Sequence, residues 1–194
     1  KLQKLQHLEF DFGCCNALNN IAELGCGIGK LKGLTHLHLN FSGDSFDTTL
    51  RPEFCDIADL GRSVGSLQKL QHLELNFGMC DRLKEIADLG RSVGKLGSLK
   101  HIHLGFQYCA ALEDVADLGR SLGSLQNLKR LRLLFFSCHS GTYDPGGGRL
   151  VGIRKLSTAR SRRARRDATR RDFRIIFKNE GNGESPPTPE KDRR

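Results

Sequence analysis

The chain of 194 residues has no apolar run near the roughly eighteen residues that cross a bilayer as a helix. Nor does it open with a charged start, an apolar middle and a small-residue cleavage site, the build of a secretory leader. Its seven cysteines are odd in number and never spaced as CxxC. They read as reduced thiols, which places the expected location inside the cell, cytoplasmic or nuclear. On that reading the sequon Asn40-Phe41-Ser42 stays silent. Catalytic signatures are missing as well: there is no GxxxxGK[ST], no HExxH and no GxSxG. A His, an Asp and a Ser can be assembled into a triad on paper, but nothing marks one serine as activated. The glycine runs Gly25-Cys26-Gly27 and Gly146-Gly147-Gly148 do not sit as strand-to-helix phosphate cradles. A non-enzymatic protein without cofactor or resident metal is the expectation.

What is present divides the chain in two. The net charge of +9 lies entirely beyond residue 147: residues 1–147 hold 16 basic and 16 acidic side chains, and residues 148–194 hold 15 and 6. Leucine splits the other way, with 28 of 30 before residue 148. We therefore expect a body at 1–140, a Gly-rich linker at 141–148, and a basic, largely disordered tail at 149–194.

The body repeats. LQKLQHLE occurs at 2–9 and again at 67–74. Anchored on Leu8, equivalents fall at Leu37, Leu73, Ile102 and Leu131, at steps of 29, 36, 29 and 29. The long step holds a seven-residue insertion within 43–55. Each unit has two halves of different period. Leu73-x-Leu75-x-Phe77 alternates, as do its counterparts, which predicts a half-buried strand. IADLGRSVG (57–65 and 86–94), VADLGRSLG (115–123) and IAELGCGIG (21–29) place apolar residues three to four apart, which predicts a helix. A glycine recurs inside each helix (Gly25, Gly61, Gly90, Gly119), where it costs about 1 kcal/mol against Ala. Its recurrence predicts close approach of neighbouring helices.

One strand and one helix cannot bury an apolar face alone, so the units must stack. The pattern LxxLxLxFxxCxxLxxIADLGxSxGxLxxL is similar to leucine-rich repeats, specifically the ribonuclease-inhibitor-like class of 28–29 residues. It looks closest to a variant with a lengthened strand found in protist proteins. The likeness covers residues 2 to about 138. It implies an α/β solenoid, a horseshoe arc with five parallel strands on the concave side and helices on the convex side. Cys15, Cys80, Cys109 and Cys138 stand where that family carries an Asn/Cys ladder, and Asp44 replaces the Cys in the second unit. Such thiols pack in the strand-to-helix turn, whereas Cys26, at the position of Arg62, Arg91 and Arg120, is expected to be exposed.

The family binds partners on the concave face, where the residues between the leucines point. The first column is His7, His36, His72, His101 and Arg130. The second is Glu9, His38, Glu74, His103 and Arg132. Asp11, Asn40 and Asn76 lead the third, and Gln107 stands in the fourth. These are the candidate contacts for a protein or peptide. Six of the seven histidines share this face. Two special readings, a shared divalent ion or a pH-sensitive surface that resists protonation, stand beside a plain one in which duplication copied a surface residue.

At both ends the array has no cap: Leu2, Leu5 and Leu8 begin in mid-pattern, and Leu134 and Phe136 put apolar groups on the open face. Further repeats, or a covering surface, are expected. The tail cluster Arg160, Arg162, Arg163, Arg165, Arg166, Arg170 and Arg171 suits a nuclear-import signal, a nucleic-acid arm, an acidic membrane patch, or a solvated tail without a ligand.

Overall fold

The structure, a computed structural model, describes residues 2–54, 56–112 and 115–135, with the backbone of a strand at 172–176. Strand and helix alternate. β1 (His7–Asp11) leads to α1 (Ala22–Gly29), β2 (His36–Asn40) to α2 (Ala58–Gly65), β3 (His72–Asn76) to α3 (Ala87–Val93), and β4 (His101–Gly105) to α4 (Ala116–Ser124). β5 (Arg130–Leu134) follows. The strands pair in parallel and in chain order. Register runs residue for residue: His36 lies opposite His7 and His72, and Leu73 opposite Leu37 and Ile102. Equal repeat length sets equal residues side by side. The insertion between β2 and β3 leaves this intact, looping out through a short 3-10 turn at Thr48–Leu50. Repeating strand–helix units on a parallel sheet are compatible with the leucine-rich repeat resemblance.

Five strands are expected from the repeats, and the sheet has six. β6 (Asp172–Ile176) lies parallel beside β5, with Leu131 opposite Phe173 and Leu133 opposite Ile175. It comes from within the segment assigned to the tail. Its sequence, DFRII, repeats the alternation of the other strands. A strand at a sheet edge offers a row of backbone donors and acceptors for such pairing.

The strand residues that face inward form the core with the helices. Leu39, Leu75, Leu104 and Leu133 are buried, with Leu60, Val64, Leu89 and Val93 from the helical side. Four phenyl–phenyl stacks run the length of the array, from Phe12 through Phe41, Phe77 and Phe106 to Phe135, with centroids 5.3 to 5.6 Å apart. Stacks of this kind add roughly 0.5–1.5 kcal/mol each beyond the area they bury. The helical glycines do what their recurrence predicts. A Cβ on Gly25 would lie 2.9 Å from the Cα of Leu60, and one on Gly61 2.7 Å from the backbone nitrogen of Leu89. Backbone meets backbone there, and no side chain fits between.

Helix starts lack a side-chain cap at the N-cap residue itself, because Ile21, Ile57, Ile86 and Val115 point into the core. In two units the residue before supplies the oxygen: Asn20 accepts from the Ala22 amide and Asp56 from the Ala58 amide. Such contacts replace the ordinary cap.

Two expectations about the ends need correction. The alternation puts Leu134 exposed on the open face, yet it is buried, in a strand flanked by β6. The repeat groups Cys15 with the buried thiols, yet it is exposed. Cys80 and Cys109 instead donate through sulfur to the carbonyls of Phe41 and Phe77 in the preceding unit. Cys15 has no preceding unit among the described residues. The same end leaves Leu2 and Phe10 exposed. Phe136 and Cys138 lie outside the described residues.

Candidate functional site

Alternation along each strand turns every second side chain away from the core. All the candidate contacts of the body share that face. His7, Glu9 and Asp11 are exposed on β1, the equivalents on β2 to β4 are half-buried, and Arg130 and Arg132 on β5 are exposed. Together they line an open groove of about 880 Å³ that crosses all five strands, from His7 and Glu9 to Arg130 and Arg132.

The first column is a stack of imidazoles. Ring centroids of His7 and His36 are 4.1 Å apart, those of His36 and His72 4.1 Å, and those of His72 and His101 4.2 Å. The first two contacts are face to face, and the third is edge-on at 81°. Thr35 Oγ1 lies 2.9 Å from His36 Nδ1. Burial and neighbouring cationic or imidazole groups make His36, His72 and His101 harder to protonate. His72 is lowered to about 4, first by burial and then by His101, His36 and Lys100. His36 is lowered by burial and His7, and His101 by burial and then by Arg130, Lys129 and Lys100. For these three rings the direction agrees with the expectation that crowded imidazoles resist protonation.

The second column pairs off. His38 Nδ1 lies 3.3 Å from a Glu9 carboxylate oxygen, and His103 Nδ1 2.7 Å from one of Glu74. Sequence reading places these residues in one column without foreseeing that adjacent units pair them. Among the described residues no group of three or more His, Cys, Asp or Glu is placed to hold a metal ion. The rings lie alongside one another and do not converge on a point.

The third column is a chain of hydrogen bonds. Asn40 Nδ2 donates to Asp11 Oδ1 at 2.8 Å, Asn76 Nδ2 to Asn40 Oδ1 at 3.1 Å, and Gln107 Nε2 to Asn76 Oδ1 at 3.4 Å. Each of those oxygens also accepts a backbone N–H two residues on, from Gly13, Ser42 and Gly78. Gly105 breaks the column, and a Cβ there would lie 2.7 Å from Asn76 Oδ1 and 2.8 Å from Gln107 Oε1. Gln107, two positions later, reaches into the space and continues the chain. These amides hold the strand-to-helix turns, which leaves them less to offer a partner. The signal is in the sequence: Asp or Asn at a strand end with Gly or Ser two residues on.

Phe46, at the insertion and 97% exposed, is not among the sequence candidates. Asp44 braces its loop by accepting from the Phe46 and Asp47 amides, and Arg51 ties the loop to Asp81 at 2.6 Å. The seven tail arginines, Arg160 to Arg171, lie outside the described residues. Among the described residues no helix is long and apolar enough to cross a membrane. No protein-family model matches the chain, and no curated protein matches its sequence.

Proposed function

We propose that the body is a leucine-rich repeat solenoid of the ribonuclease-inhibitor-like class and acts as a non-enzymatic interaction module inside the cell. Its concave sheet face grips a protein or peptide partner. One observation carries the reading: an open groove crosses five parallel strands, edged by charged and imidazole side chains with no covering element among the described residues. Exposed polar residues presented by a rigid scaffold are what partners recognise.

The test compares two sets of substitutions in the full chain. His72→Ser with His103→Ser alters the open face, and Arg62→Ser with Arg91→Ser alters the helical side. Quantitative crosslinking should recover a stoichiometric partner from the parent and from the helical-side variant, and lose it in the open-face variant. Loss only in the helical-side variant would assign binding to the opposite surface.

A second reading rests on charge asymmetry, since the whole excess of +9 lies in residues 148–194. In it the tail arginines bind nucleic acid or another acidic surface, or direct the chain to the nucleus. Removing residues 148–194 should then abolish binding, and added salt should weaken it steeply.

A further inference from the structure

On β1 to β4 the charged side chains of the open face each have a polar neighbour. Glu9 pairs with His38 and Glu74 with His103, and the Lys100 ammonium donates to Gln71. Arg130 and Arg132 are exposed on β5, with Lys129 exposed beside them. Neither arginine has a carboxylate partner among the side chains described. The register of β6 sets Asp172 opposite Arg130 and Arg174 opposite Arg132. At the other edge the Glu9 side chain is 75% exposed although it pairs with His38, and Asp11 is exposed next to it. Between the edges lie the stacked rings of His36, His72 and His101. The groove thus has a cationic end on β5 and an acidic end on β1.

Four inter-strand steps of about 4.8 Å separate β1 from β5, about 19 Å, which is the reach of about six extended residues at roughly 3.3 Å each. We propose that the groove's occupant is an extended protein segment of about six residues running across the strands. Its acidic end lies on Arg130 and Arg132, and its basic end against Glu9. This rests on the open-face reading above and adds the partner's chemistry. A guanidinium presents a planar fork that matches a carboxylate, and two such forks on one strand favour neighbouring acidic side chains. A nucleic-acid strand fits less well. Its phosphates would run along the whole groove and meet Glu74 and Glu9, while the faces of the imidazoles are already taken up by one another.

The experiment uses the full chain and fluorescence anisotropy with two labelled hexapeptides of one composition and zero net charge. The block peptide has two glutamates at one end and two lysines at the other, and the second peptide alternates them. The block peptide should bind roughly ten-fold tighter, and Arg130→Glu/Arg132→Glu should abolish that preference. Both side chains are exposed, so circular dichroism of the variant should match the parent. Equal affinity for the two peptides would overturn the proposal. A preference kept by the double variant would assign it to the basic tail and overturn the proposal equally. Tighter binding of a labelled single-stranded RNA, lost in the double variant, would make this a nucleic-acid site and also overturn it. If the peptides do not discriminate while His72→Ser with His103→Ser still abolishes partner capture, the charge rule falls and the open-face reading stands.

Discussion

A Cβ placed on Gly90 would lie 2.6 Å from the backbone nitrogen of Leu118 and 2.7 Å from its Cα. The same relation joins Gly61 to Leu89 and Gly25 to Leu60, so each helix backbone seats on a glycine of the one before. Gly90→Ala would gain about 1 kcal/mol of helix propensity, but the obstacle is backbone and cannot swing aside. We expect Gly90→Ala to lower the melting temperature. Gly27→Ala, also in a helix but with nothing within 4 Å of its Cβ, should raise it. Thermal unfolding of the two variants checks the pair of signs.

The imidazole stack should make the body acid-sensitive. His72 has its pKa lowered to about 4 from 6.5 by burial and by His101, His36, Lys100 and His7. In the unfolded chain it takes up a proton as pH falls through about 6.5, whereas in the folded chain it resists until about 4. The unfolded state thus binds more protons across that window, and stability is full above it and falls steadily within it. Denaturant unfolding between pH 7 and 4 should show this slope, and His72→Asn should flatten it. A ring-proton titration of His72 with a midpoint near 6.5 would refute the account.

An ion-pair ladder crosses the helices and stops one unit short. Arg62 bridges Asp59 and Asp88, and Arg91 bridges Asp88 and Asp117, at 2.5 to 2.7 Å. In α1 the arginine position is Cys26, which is exposed, with Glu23 three residues before it and Asp59 in the next unit. Cys26→Arg should extend the ladder and raise the melting temperature slightly at low salt. Because the added charge is exposed, about 1 M salt should erase the gain.

Met79 has a positive φ of 62° in the turn after β3, as Cys14 and Tyr108 do at 59° in theirs. Left-handed backbone costs an L-residue about 1–2 kcal/mol, and a β-branched side chain suits it worst. Met79→Ile should therefore destabilise, because β-branching adds to a cost Met79 already bears. Met79→Gly, which relaxes the turn and loosens the unfolded chain in compensation, should stay within about 1 kcal/mol of the parent. Urea midpoints would compare the three proteins.

Much of this fold is legible in the chain itself. Alternation at Leu73, Leu75 and Phe77 locates the strand and names its outward residues. Spacing at Ile86, Leu89 and Val93 locates the helix, and the recurring glycine announces the tight seat under Leu118. Less legible is what the outward residues do. Asn40 and Asn76 look like contacts, yet their oxygens hold the turns through Ser42 and Gly78. Gln107 stands in a different column until Gly105 leaves room for it. β6 escapes notice because the stretch before it, 136–171, breaks the 29-residue spacing, so an anchored repeat search stops at β5.

By itself the sequence determined the periodicities, the register and which side of each strand meets the core, since these depend on spacings of two, three to four, and 29 residues along one chain. Only the tertiary structure decided which polar groups are spent on one another: Glu9 with His38, Glu74 with His103, imidazole on imidazole. Those contacts join residues 29 or 36 positions apart, and their strength turns on ångström-scale distance and burial, which no linear pattern carries. The arginines of β5 emerge as a cationic edge because Glu9 and Glu74, the glutamates of the open face, each lie against a histidine one unit on.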